Sequence, residues 1–200
     1  MTTPQPSGRL VRHDDGVFVV LDRVFLASID DVWGSLTRPY RLNAWIGHCA
    51  GHPQTGALRI LPAGMPDTEW LNVAVLECDP PHRFRGEVGS AGDSRRVYLH
   101  LSHASSYTTV TLGQRVKSHA DEAEVGVRAE YMLDRLVASR SKHPMPSWDD
   151  YYPALLPHYQ HLLTEPAIVR TTSTRGAAAE TGESTETSDT EDERADQLSR

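Results

Sequence analysis

The chain is poor in cysteine: Cys49 and Cys78 are the only two in 200 residues. One bridge is possible, but a disulfide framework is excluded. No stretch approaches the ~18 uninterrupted apolar residues of a membrane helix. The segment from Met1 to Gly8 has neither the basic flank nor the apolar core of a signal peptide,. A soluble, cytoplasmic protein without a membrane partner is the expectation. Positive charge is also scarce. The net charge is -7, and residues 171–200 hold eight acidic against three basic residues, leaving 19 against 17 in the remainder. With no basic stripe to neutralise phosphates, nucleic acid is not an expected partner. A P-loop, a dinucleotide glycine pattern, a zinc-protease helix and a Ser-His-Asp order are all missing,. No catalytic residue is assigned and no cofactor is expected.

What is present fits one domain with tails. Residues 1–8 read as a disordered terminus, 9–143 as the folded domain, 144–165 as an extension rich in proline and aromatics, and 166–200 as an acidic disordered tail. The tail is Thr, Ser, Glu and Ala without an aromatic, too little apolar surface to offset ordering entropy. Within the domain, the β-rich runs 9–13 and 17–26 flank Asp14-Asp15-Gly16, a strong hairpin signal,. Ser28 can cap a short helix with Asp30 and Asp31 in its first turn, where carboxylates suit the dipole. Pro39 opens a second helix carrying Leu42, Trp45 and Ile46,.

Further strand runs follow at 56–61, 69–78, 82–88, 95–103 and 107–116, separated by turn residues that imply an antiparallel meander,. Val97, Leu99 and Leu101, then Val110, Leu112 and Val116, recur with period two, so one sheet face is buried. Its cover is a helix over about 121–142, with Val125, Ala129, Met132, Leu133, Leu136 and Val137 in one stripe,. Pro144 and Pro146 end it. The fold class is α+β: a curved antiparallel sheet of six or seven strands around a long C-terminal helix, with two short helices after the first strands.

Three blocks make this more specific. The run from Leu26 to Thr37 followed by Leu42-Asn43-Ala44-Trp45-Ile46 resembles the opening of the SRPBCC (START-like, helix-grip) superfamily. Glu77-Cys78-Asp79-Pro80-Pro81-His82-Arg83-Phe84 and Glu130-Tyr131-Met132-Leu133-Asp134-Arg135-Leu136 are similar to its branch typified by the C-terminal domain of the activator of heat-shock protein 90 ATPase. The resemblance spans most of the folded region. It departs at Ala129, which stands where a tryptophan is usual beside Gly126.

The resemblance implies a cavity between sheet and last helix that holds a small hydrophobic or aromatic molecule. Trp33, Tyr40, Trp45, Trp70, Tyr131, Met132 and Leu136 are its expected lining, since such pockets combine aromatic walls with a few polar groups,. Each of these residue types also fills ordinary cores. A small-molecule binder is the leading reading. A polyketide-cyclase-like enzyme using the same cavity and a co-chaperone stimulating an ATPase are the alternatives. The branch's authentic activator carries a separate N-terminal domain, whereas about eight residues precede the first strand here, so the co-chaperone role is not expected. His48, Cys49 and His52 would suit a soft metal only on a helix; Gly47 and Gly51 read instead as a loop, and no metal is assigned,. Glu77 and Asp134 read as structural carboxylates, Cys78 as a structural thiol.

Overall fold

A computed structural model describes residues 4–52, 57–66, 68–90, 92–116, 122–141 and 143–164. The expected acidic tail lies outside them. The hairpin forms as its turn chemistry dictates: β1 (Arg9–His13) pairs with β2 (Gly16–Phe25), His13 opposite Gly16, leaving Asp14 and Asp15 as the loop. Then α1 (Ile29–Thr37) starts at Ser28, whose side chain accepts a hydrogen bond from the Asp31 amide,. A single turn, α2 (Pro39–Leu42), follows with Pro39 at its start.

Six more strands complete the sheet: β3 (Gly47–His52), β4 (Ala57–Pro62), β5 (Leu71–Asp79), β6 (Arg83–Ser90), β7 (Asp93–Ala104) and β8 (Tyr107–Val116). All neighbours are antiparallel in the order β1-β2-β8-β7-β6-β5-β4-β3. The sheet thus has eight strands rather than six or seven. The addition is β3, where a loop was expected from its glycines. Gly47 sits at φ +127, and a Cβ there would lie 2.1 Å from the Leu61 carbonyl oxygen. Glycine permits that close approach, and six cross-strand pairs to β4 then hold the edge strand,. As strand positions, His48 and His52 are ~13 Å apart along the backbone.

The long helix α3 (Ala123–Ser139) crosses the concave face of the sheet. Val125, Ala129, Leu133 and Leu136 are buried, as the stripe implies, but so are Val127, Glu130, Tyr131 and Ala138. A helix buried nearly all round needs cover on both sides. The second cover is the C-terminal extension, a 3-10 turn at Trp148–Asp150 followed by α4 (Leu156–Thr164). Tyr159 of α4 lies so close to Gly126 that a Cβ there would fall 2.1 Å from its ring. Ala129 is 1% exposed within the core rather than opening a void. No helix among the described residues is long and apolar enough to cross a membrane.

The layers are pinned by one buried polar cluster. Arg23 of β2 points towards α3 and pairs with Glu130 at 2.5 Å and Asp134 at 2.8 Å. Glu130, 1% exposed, also accepts the Tyr159 hydroxyl at 2.6 Å, the backbone amides of Ser7 and Gly8, and the Ser7 hydroxyl. Ser7 and Gly8, assigned from sequence to the terminus ahead of the domain, are thereby attached to it. Tyr151 donates to Asp134 at 2.7 Å. Burial pushes the Glu130 carboxyl up, but the donors from Tyr159, the Ser7 backbone and Arg23 outweigh it, so the group sits below its ordinary value,.

Candidate functional site: a cavity between the sheet and the long helix

Between one side of α3 and strands β4 to β8 a cavity of about 410 Å³ remains, open to solvent along part of its wall. That is within the ~300–1,000 Å³ of small-molecule pockets. Its floor is the concave face: Ile60 of β4, Leu71 of β5, Val88 of β6, Val97 of β7 and Gln114 of β8. Its roof is one side of α3, with Val125, Arg128 and Met132 at spacings of three and four, and Ile46 and Met65 close the ends,. The exposed Glu69 and Asp93 mark where it reaches solvent.

The turn beneath Met65 is held by α3. Gly64 takes φ +77, its carbonyl accepts the Tyr131 hydroxyl at 2.8 Å, and a Cβ there would collide with that hydroxyl. Arg135 donates to the Trp45 carbonyl at 2.6 Å and to the Tyr131 hydroxyl at 3.2 Å. The cavity wall is therefore braced by α3 side chains that donate to the backbone carbonyls of Gly64 and Trp45,.

Met132 is the one of the seven sequence-derived lining residues that stands on this wall. Trp33 and Trp45 are buried in the core, the Trp45 ring donating its N–H to the Ser35 carbonyl at 3.0 Å. Leu136 is likewise fully buried. Tyr131 faces the extension, edge-on to Trp148 and Tyr151 at 5.3 Å each. Tyr40 is 65% exposed on α2, and Trp70 packs under the Arg59 guanidinium, 5.1 Å from its ring centre. The residues missed were mostly aliphatic strand positions, which in sequence look like any core. Gln114 did carry a signal, because it continues the inward set Val110, Leu112 and Val116.

Two arginines reach the cavity, each with a carboxylate partner. Arg95 pairs with Glu122 at 2.8 Å, and Arg128 with Glu124 at 2.6 Å while lying 5.7 Å from the Trp148 ring centre. A larger hollow, about 670 Å³, lies on the outer sheet face among His13, Tyr98, His100, Arg85 and Arg96. Ion pairs such as Arg96–Asp15 at 2.8 Å and Arg85–Glu77 at 3.5 Å run across that surface. Phe18, Leu76, Val97 and Leu99 stand among the charged groups of its wall. Cys78 is exposed and Cys49 partly buried, and burial raises both thiols above their ordinary value, with Asp79 adding to the effect at Cys78. Neither has the lowered pKa of an activated nucleophile.

No protein-family model matches the chain, and no curated protein matches it. Solved structures do. The crystal structure of CalU16 from Micromonospora echinospora is similar at TM-score 0.65 and 24% identity, covering 80% of this chain and 98% of that one. DynU16, described as a protein in the dynemicin biosynthetic locus, is similar at TM-score 0.56 and 21% identity, over 64% of this chain and 49% of that one. EF2215 from Enterococcus faecalis, a conserved protein of unknown function, gives TM-score 0.55 and 16% identity, over 78% and 90% of the two chains. At such identities the likeness is one of fold: an eight-stranded antiparallel sheet with a long helix across it, consistent with the helix-grip architecture expected from the sequence.

Proposed function

We propose that this protein binds a small, mainly apolar molecule in the cavity between its sheet and α3, and that it belongs to the branch similar to the C-terminal domain of the activator of heat-shock protein 90 ATPase. The observation that carries the binding reading is the cavity itself: about 410 Å³ left open beneath a helix otherwise packed on both sides. A solvent-open cleft of this size with a mainly aliphatic floor falls in the range of small-molecule pockets,. The place of DynU16 in a biosynthetic locus supports a small molecule as that occupant. The branch assignment rests on the three sequence blocks quoted above.

A cyclase-like reaction in the same cavity is the second reading. Among the described lining residues, the carboxylates that could exchange a proton are Glu69 and Asp93, both exposed at the rim rather than set in the apolar floor. That placement favours binding over catalysis, because a general acid or base must reach the reacting atom. Native mass spectrometry of the freshly purified protein tests the proposal. A co-purifying small molecule, or saturable uptake of 1-anilinonaphthalene-8-sulfonate in an emptied sample, is the expected result. Protein that carries nothing and takes up no apolar probe refutes it.

A further inference from the structure

We infer that Trp148 of the C-terminal extension is a positioning residue for the cavity: docking of the extension on α3 sets the wall at Gly64 and Met65 and thereby the affinity for the ligand, an inference that rests on the binding function proposed above. Among the described residues, none of the extension lines the cavity. Trp148 nevertheless meets two α3 residues that hold that wall. Its ring is edge-on to Tyr131, 5.3 Å between centres, and its centre lies 5.7 Å from the Arg128 guanidinium carbon. Both partners reach the same turn. The Tyr131 hydroxyl donates to the Gly64 carbonyl at 2.8 Å, and Nη1 of Arg128 lies 3.8 Å from the Met65 sulfur. Arg128 and Tyr131 are three residues apart on one side of α3, so a single indole spans them,.

Trp148 has a fixed place of its own. It is 7% exposed, and Tyr152 stacks on it at 5.6 Å with the two rings 8° from parallel. On either side of it in sequence and space, Tyr151 donates to Asp134 and Tyr159 to Glu130, so the extension docks on α3 as a unit. Aromatic edges and cations over rings attract only at close range, and an undocked extension releases Tyr131 and Arg128 together. The turn at Gly64, held at φ +77, then loses the contacts that keep it against the helix. Docked and undocked extension are the two discrete states through which such coupling acts, and coupling between them and the ligand must be mutual.

Titration of the full chain with 1-anilinonaphthalene-8-sulfonate tests this. Tyr131→Phe keeps the ring, removes the hydroxyl, and is expected to weaken binding about three- to tenfold. Trp148→Leu is expected to weaken it about tenfold in the wild-type background but about threefold or less in Tyr131→Phe, where the contact it acts through is already gone. Trp148→Phe, which retains an aromatic edge, should bind within about twofold of the wild type. In the wild type, saturating probe should slow hydrogen exchange in residues 148–164 by about the same tenfold, because the coupling is reciprocal, and this arm needs no variant to fold. If the probe binds but Trp148→Leu leaves its affinity unchanged, or the two losses simply add, or exchange in 148–164 does not slow, the extension does not act on the cavity and the binding function stands. If the wild type takes up no probe, the binding function falls and this inference with it.

Discussion

Replacing Glu130 by glutamine should unlock the whole assembly, because every group that meets this carboxylate is a donor. One oxygen accepts the amides of Ser7 and Gly8 and the Tyr159 hydroxyl, and the other accepts Arg23. A glutamine amide must present its NH2 to one of those sets, so one orientation faces the guanidinium and the other faces the backbone N–H groups. Breaking a buried, hydrogen-bonded charge pair on one side costs ~3–5 kcal/mol. Arg23 keeps Asp134 at 2.8 Å, which places the expected loss at the lower end of that range. For a domain of this size it corresponds to a drop in Tm of about 6–12 °C. Because the folded carboxyl lies below its ordinary value of ~4.3, its ionised form stabilises the fold above about pH 5,. That contribution fades as pH falls from ~4.3 towards the lower folded-state value. Urea unfolding of both proteins across pH is the assay. The difference in stability should hold constant from about pH 5 to 8 and shrink in acid. A loss below about 1 kcal/mol, or a difference that does not shrink, would refute the reasoning.

Removing only the Tyr159 hydroxyl, as Tyr159→Phe, takes one donor of 2.6 Å from the same carboxylate and should cost ~1.5–3 kcal/mol in the same unfolding assay,. Gly126→Ala should destabilise despite the ~1 kcal/mol that alanine gains within a helix. The new Cβ would lie 2.1 Å from the Tyr159 ring, and such overpacking costs ~1–3 kcal/mol; a stabilised variant would mean that α4 is free to move away,. Met132→Trp should place an indole in the cavity and reduce uptake of 1-anilinonaphthalene-8-sulfonate at least tenfold with cooperative unfolding retained, whereas unchanged uptake would locate the probe elsewhere,. Addition of the protein to the matching chaperone should leave its ATPase rate unchanged; stimulation would favour the co-chaperone role.

Local physics decided much of this protein in advance. Asp14-Asp15-Gly16 turns β1 into β2, Ser28 caps α1, and period-two alternation in β7 and β8 buries one face, all within a few residues of chain,. The stripe on α3 likewise announces a helix across that face,. What tertiary structure alone decided is which neighbour each apolar residue meets. Tyr131 and Met132 are adjacent in sequence, yet Tyr131 turns to the extension and Met132 to the cavity, because about 100° of helical rotation separates them and α3 has a layer on each side,. The strand character of 47–52 was equally hidden, since its glycines look like a loop until β4 supplies the hydrogen bonds. The cavity is invisible to sequence for a related reason: it depends on how far α3 stands from the strands facing it, and periodicity records which side faces inward but not the distance to the partner.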